Sequence, residues 1–184
     1  KKRGGFRMNN LPTIREIQTG ELSIAGKDNA LNVLLNQTPP STWVKKHPMS
    51  KTDYLPIDKV EFLLTKIFIK WNIEVKQVQV IANSAVITVR LHYQNPISNE
   101  MEWQDGVGAA PIHTAKGKGA MDWNEVQADS VMKAVPAAKS YAVKDAAEEL
   151  GKIFGKDLNR KDTMAYDSLL SDPERFKDAK ITEK

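Results

Sequence analysis

The chain contains no cysteine among its 184 residues. That excludes disulfides, thiolate catalysis and most zinc sites, and it suits a reducing compartment. No apolar run approaches the ~18 residues a membrane span requires, and no signal-type apolar stretch is present, so a cytoplasmic location is expected. Aromatics are sparse at 7%, and histidine is limited to His47, His92 and His113, dispersed without ligand spacing. No Gly-x-Ser-x-Gly elbow marks a serine nucleophile. Around Gly117-Lys118 a P-loop fails, because Ile112 stands where its first glycine belongs and Gly119 where Ser or Thr should meet Mg²⁺. Glu148 and Glu149 are adjacent in a helical stretch and diverge by about 100°, a poor acid/base couple.

What is present is an ordinary globular balance, 41% hydrophobic and 27% charged, with a net charge of +4. The pI of about 9.1 makes a polyanionic partner a reasonable expectation through phosphate neutralisation. Residues 1–53 read as an N-terminal arm with turn formers, a Pro39-Pro40 break and one apolar stretch at Leu31, Val33, Leu34 and Leu35. Asp28 or Asn29 is the expected cap of a short helix there. Either the domain core or a neighbouring subunit would cover it. The compact domain is expected over residues 54–162, followed by a charged tail at 163–184, which Asp172-Pro173 breaks.

Within the domain, Pro56 opens a helix whose face is Ile57, Val60, Leu64, Ile67, Phe68 and Trp71. Strands are predicted at Ile73–Ile81, Ala85–Tyr93 and Met101–Val107. In the second, Ile87, Val89, Leu91 and Tyr93 alternate with Thr88, Arg90 and His92, giving an apolar face and a wet face. Gly106–Ala120 reads as a mobile loop carrying Lys116 and Lys118. A long helix is predicted from about Pro136 to Phe154, burying Val143, Ala146, Ala147, Leu150, Ile153 and Phe154. Its outer face would carry Lys144, Asp145, Glu148, Glu149 and Lys152. Such a small sheet, with free edges, favours oligomerisation.

Four stretches, in this order, resemble the DNA-binding domain of the Rad52 family and its phage single-strand annealing relatives. They are Val60-Glu61-Phe62-Leu63-Leu64 ending at Trp71, the hairpin and strand closing on Asp105-Gly106-Val107-Gly108, Ser130–Lys139 leading into an Ala-rich helix, and Leu150-Gly151-Lys152-Ile153-Phe154-Gly155-Lys156-Asp157-Leu158-Asn159. Together they span roughly Tyr54 to Asp162, and the likeness is to a phage member. The resemblance implies an α+β fold with a β-β-β-α core assembled as a homo-oligomeric ring. Single-stranded DNA would lie in a basic groove, and complementary strands would anneal without cofactor or bond chemistry. A single-strand binding protein or an exonuclease is a candidate further partner, and the bacterial host cytoplasm the setting if the gene is phage-borne. One departure is that Glu148-Glu149 stand where the family often has Lys-Arg.

The expected DNA contacts are therefore Arg90, Lys116, Lys118, Lys133, Lys139, Lys144, Lys152, Lys156 and Arg160, with no catalytic or metal-binding residue. Each has a plain alternative: Arg90 as a solvent-facing partner of Glu74 or another neighbour, Lys144 and Lys152 in helical pairs with Glu148 worth only ~0.3 kcal/mol each, and the loop lysines as solvent-exposed charges. Lys1, Lys2, Arg3 and Arg7 could add salt-sensitive contacts. Trp71 reads as core, whereas Trp43, Trp103 and Trp123 are candidates for base stacking or subunit packing. The rival enzymatic reading is a metal-dependent nuclease built from Asp58, Glu74 and Lys76, since Glu-x-Lys on a strand points both side chains one way. A third reading is an oligomeric scaffold without DNA affinity.

Overall fold

The structure, a computed structural model, describes residues 24–47 and 50–161. The expectations for Lys1, Lys2, Arg3 and Arg7, and for the tail at 163–184, lie outside the described residues. Two short strands, β1 (Lys45–Lys46) and β2 (Asp53–Tyr54), form a small antiparallel hairpin. Helix α1 (Ile24–Leu35) precedes them and α2 (Ile57–Ile67) follows. A three-stranded antiparallel sheet comes next, β3 (Trp71–Ile81), β4 (Ser84–Gln94) and β5 (Met101–Pro111), in the order β3-β4-β5. Helix α3 (Ser130–Glu148) lies across the sheet and is followed by a 3₁₀ turn at Lys152–Phe154. The molecule is thus α+β, with three consecutive antiparallel strands packed against one long helix.

The alternation in β4 sets the layers. Ala85, Ile87, Val89 and Leu91 are buried toward α3, and Phe154, Leu64, Ile67 and Val60 complete the core from the surrounding elements. On β5 the residues opposite Val89 and Ile87 are Gly106 and Gly108. A Cβ at Gly108 would lie 2.2 Å from the Ala138 carbonyl oxygen, and one at Gly106 2.3 Å from that of Ala142. The glycines let the helix backbone rest directly on the strand. Ala134, Ala138, Ala142 and Ala146 of α3 are buried at this contact. Residues 106–111 are accordingly strand, not the start of a loop: the missing side chains serve close packing rather than mobility.

Several expected boundaries shift. Helix α3 begins at Ser130, six residues before Pro136, and ends at Glu148. Pro136 lies on the exposed side, where the Met132 carbonyl left without a helical donor can turn to water. Ser130 is buried and its hydroxyl accepts a hydrogen bond from the His113 backbone N–H, anchoring the helix start. Lys152, Ile153 and Phe154 sit in the separate 3₁₀ turn beyond Gly151. Trp71 is the first residue of β3 and not the end of α2; its indole N–H donates to Thr65 Oγ1 at 3.1 Å.

Helix α1 spans Ile24–Leu35, so Asp28 and Asn29 lie inside it rather than before its first residue. Leu31 belongs to the buried core, with Leu34 and Leu35 packed against it. Gly151, at φ +156°, comes so close that a Cβ there would meet the Leu35 carbonyl oxygen at 2.3 Å. The apolar stretch of the arm is therefore covered by the domain's own core.

The edge strand β3 is only partly covered. Val75, Val78 and Val80 pair with Val89, Ile87 and Ala85 and share their face, the bulge at Lys76 restoring the alternation between Val75 and Val78. Yet these three valines remain 46%, 57% and 56% exposed, because α3 packs over β4 and β5. Among the described residues, no helix is long and apolar enough to cross a membrane.

Candidate nucleic-acid interface

The nine predicted basic residues do not converge on one surface. Arg90 stands on the sheet face opposite α3, where its Nε and Nη2 donate to Asp105 Oδ1 and Oδ2 at 2.7 and 2.8 Å. Its guanidinium also stacks 3.8 Å from the centroid of the Trp103 ring. The Arg90 guanidinium holds the Asp105 carboxyl below its ordinary value, and Asp105 raises Arg90 in return. The neighbour that pairs with Arg90 is thus Asp105 and not Glu74. Glu74 instead meets His92 at 3.0 Å and Lys76 at 3.1 Å, and these hydrogen bonds hold its carboxyl low.

Most of the other cations are also paired. Lys118 reaches Glu125 at 3.1 Å across the β5–α3 connection, and Lys133 pairs with Asp129 at the start of α3. Lys152 and Arg160 share Asp157 at 3.3 and 3.1 Å, while Lys156 meets Glu149 at 2.8 Å. Lys152 is thus not one of a helical pair with Glu148, because it is off the helix. Lys116, Lys139 and Lys144 make no ion pair with a described carboxylate. Of these three, Lys116 and Lys139 are exposed and Lys144 is half-buried.

Lys144 occupies a built environment. Its ammonium lies 5.0 Å from the Tyr54 ring centroid and 4.7 Å from that of Tyr141. With His47 and Thr52 these residues line an open depression of about 370 Å³. Tyr141 and Lys144 are three residues apart on α3 and so face the same way. Tyr54 and His47 come from the β1–β2 hairpin, where the His47 N–H donates to the Thr52 carbonyl at 2.8 Å and the two rings meet edge-on at 6.2 Å. Asn159 fixes the hairpin to the chain beyond α3, accepting from the Asp53 N–H at 2.8 Å and donating to the Asp53 carbonyl at 2.7 Å. Burial pushes the Lys144 ammonium below the ordinary lysine value, opposed by Glu148 one turn on. Burial, with repulsion from Asp145, pushes the Glu148 carboxyl up.

The structure thus groups Lys144, Lys152, Lys156 and Arg160 around the C-terminal end of α3, together with the exposed Lys45, Lys46 and Lys51 of the hairpin. Lys46 there is paired with Asp53 at 2.8 Å. Sequence reasoning missed the hairpin lysines, His47, Thr52, Tyr54 and Tyr141. Only the Tyr141–Lys144 spacing carried a local signal, since the hairpin lies some 90 residues away. Trp43 packs edge-on against Phe62 at 5.7 Å under Lys59, a structural role. Trp103 is occupied on one side by Arg90 and Trp123 is half-exposed.

For the nuclease reading, Asp58 is paired with its neighbour Lys59 at 3.2 Å and Glu74 with Lys76 and His92. Among the described residues no group of three His, Cys, Asp or Glu side chains could hold a metal ion. No family model matches the chain, and no curated protein matches it.

Proposed function

We propose that this chain binds single-stranded DNA and anneals complementary strands, acting as a homo-oligomer of the ring-forming, Rad52-like kind without ATP or metal. The observation that carries the reading is Lys144, a half-buried ammonium with no ion-pair partner among the described carboxylates, set between two tyrosine rings in an open depression. A sequence-independent single-strand binder needs cations for phosphate and aromatic faces for bases, and this site offers both. Around it lie the other basic side chains at the end of α3 and on the hairpin. Their carboxylate partners can be exchanged for phosphates at small cost, since exposed ion pairs contribute little.

The oligomer is supported by β3. An 11-residue edge strand whose inner face shows Val75, Val78 and Val80 to solvent is a surface that a second subunit would cover. The resemblance noted in the sequence points to the same assembly.

The test is duplex formation between two complementary fluorescent oligonucleotides, with no nucleotide cofactor or metal, over a salt series. The expected result is acceleration that fades with salt, each phosphate neutralised adding about 0.7 to the logarithmic slope for a single strand. Strand cleavage on addition of Mg²⁺ would instead favour the nuclease reading. Absence of both effects would leave a scaffold without DNA affinity and refute the proposal.

A further inference from the structure

We infer that the depression between α3 and the β1–β2 hairpin is a single-nucleotide subsite, in which Lys144 takes a phosphate oxygen and Tyr54 and Tyr141 take the attached base or sugar. This rests on the DNA-binding reading for its biological ligand, but its chemistry is that of a nucleotide monophosphate and can be tested alone.

The lining residues are donors and aromatic faces, without an acidic side chain among them. The Ser50 backbone N–H donates to His47 Nδ1 at 3.2 Å, so the neutral imidazole carries its proton on Nε2 and has a donor left. Thr52 supplies a hydroxyl, which shares a 2.7 Å hydrogen bond with Ser50. Lys144 supplies the charge. Both tyrosines present ring faces to its ammonium, and part of the same ring surface borders the depression. The volume of about 370 Å³ falls at the low end of the ~300–1,000 Å³ common for small-ligand sites, which fits one nucleotide better than a folded partner.

The electrostatics favour an anion in particular. Burial disfavours the Lys144 charge, and Glu148, one turn on, is itself driven toward its neutral form. A phosphate would restore a full counter-charge in a partly desolvated place, where an ion pair is stronger than on the open surface. The two ordinary alternatives for this lysine are a carboxylate partner and free solvation. Among the described residues no carboxylate pairs with it, and it is half-buried.

The experiment is NMR titration of the full chain with thymidine monophosphate, thymidine and inorganic phosphate, following the Lys144 ε-methylene and the Tyr54 and Tyr141 rings. Oligo(dT) binding is measured in parallel. Saturable shifts with the monophosphate are expected at about 1 mM, with phosphate and thymidine each at least ~10-fold weaker. Lys144→Met should abolish the shifts while leaving the core methyl spectrum unchanged. Tyr141→Leu should weaken the monophosphate but not phosphate. Oligo(dT) binding without monophosphate shifts at these side chains would overturn the subsite and leave the DNA reading standing. Shifts without oligo(dT) binding would uphold a nucleotide site and overturn the DNA reading. Neither response would overturn both, and equal response to phosphate and the monophosphate would refute the role of the rings.

Discussion

Replacing Gly108 with alanine adds one methyl group and should nonetheless be among the most damaging single changes in this protein. The new Cβ would sit 2.2 Å from the Ala138 carbonyl oxygen, 2.3 Å from the Ala142 nitrogen and 2.9 Å from the Tyr141 carbonyl carbon. Ordinary contact begins at 3.4 Å, so the helix must retreat by about 1.2 Å. All three obstructing atoms are backbone, hence no side chain can rotate away, and α3 moves as a rod. A gap of that size forfeits a quarter to a half or more of each dispersion contact along the alanine face. Overpacking usually costs ~1–3 kcal/mol, and the rigidity here argues for the upper end, about 3 kcal/mol. For a chain of this size that corresponds to a fall in Tm of roughly 6–12 °C. Urea unfolding measures it directly. Gly119→Ala is the control: no heavy atom lies within 4 Å of its added Cβ, and its effect should stay within ~0.5 kcal/mol. Gly106→Ala should resemble Gly108→Ala, and the double variant should lose less than the sum, because one retreat of the helix relieves both clashes. A loss below ~1 kcal/mol for Gly108→Ala would refute the claim that the helix rests on the strand backbone.

Arg90→Ala should change oligo(dT) affinity by less than about twofold, since Arg90 is engaged by Asp105 and Trp103 on the face opposite Lys144. A loss of tenfold or more in a fluorescence-anisotropy titration would return Arg90 to the interface. Glu148 has its folded pKa raised, so its ionised form opposes folding, and the favourable contribution of the neutral form is lost as pH rises through that folded value. Glu148→Gln should therefore stabilise the protein on the order of 0.5 kcal/mol at pH 7, with the difference from wild type vanishing below the ordinary glutamate pKa. It should also strengthen single-strand binding by removing a negative charge beside Lys144; weaker binding would contradict the site. Val78→Asp combined with Val80→Asp should shift sedimentation velocity from an oligomer to a monomer with unchanged circular dichroism. An oligomer that survives would place the subunit contact elsewhere.

The strand order and the faces of the hairpin were legible because β4 alternates strictly over Ile87–Tyr93, and a period of two has one reading. The ends of α3 were not. The predicted start lay near Pro136, whereas the buried Ser130 and its bond with the His113 backbone decide the start six residues earlier. Gly106 and Gly108 were legible as special positions but with the wrong cause. Glycine marks a mobile loop or a close approach with the same letter, and only the position of Ala138 and Ala142 across the interface tells them apart. The arm helix was found through Leu31, Leu34 and Leu35, while its cover waited on Gly151, some 115 residues later in the chain.

The site was the least legible part, for an electrostatic reason. A sequence gives the number of lysines and arginines but not their partners, and here six of the nine candidates already sit on a carboxylate of this chain. One of those partners, Asp105, comes from another strand of the sheet, so no local pattern warned of it. Glu125, Asp129, Glu149 and Asp157 lie within seven residues of their cations, yet only Asp129–Lys133 and Asp157–Arg160 stand at helical spacing. The pairing changes which substitution is informative. Lys152→Glu would set a new negative charge against Asp157, whose side chain is only 15% exposed, so its effect on DNA binding would be mixed with damage to the end of the domain. Lys144 has no such partner among the described carboxylates. Its removal subtracts a desolvated charge from two tyrosine rings and little else, which makes it the position where loss of binding and loss of fold separate most cleanly.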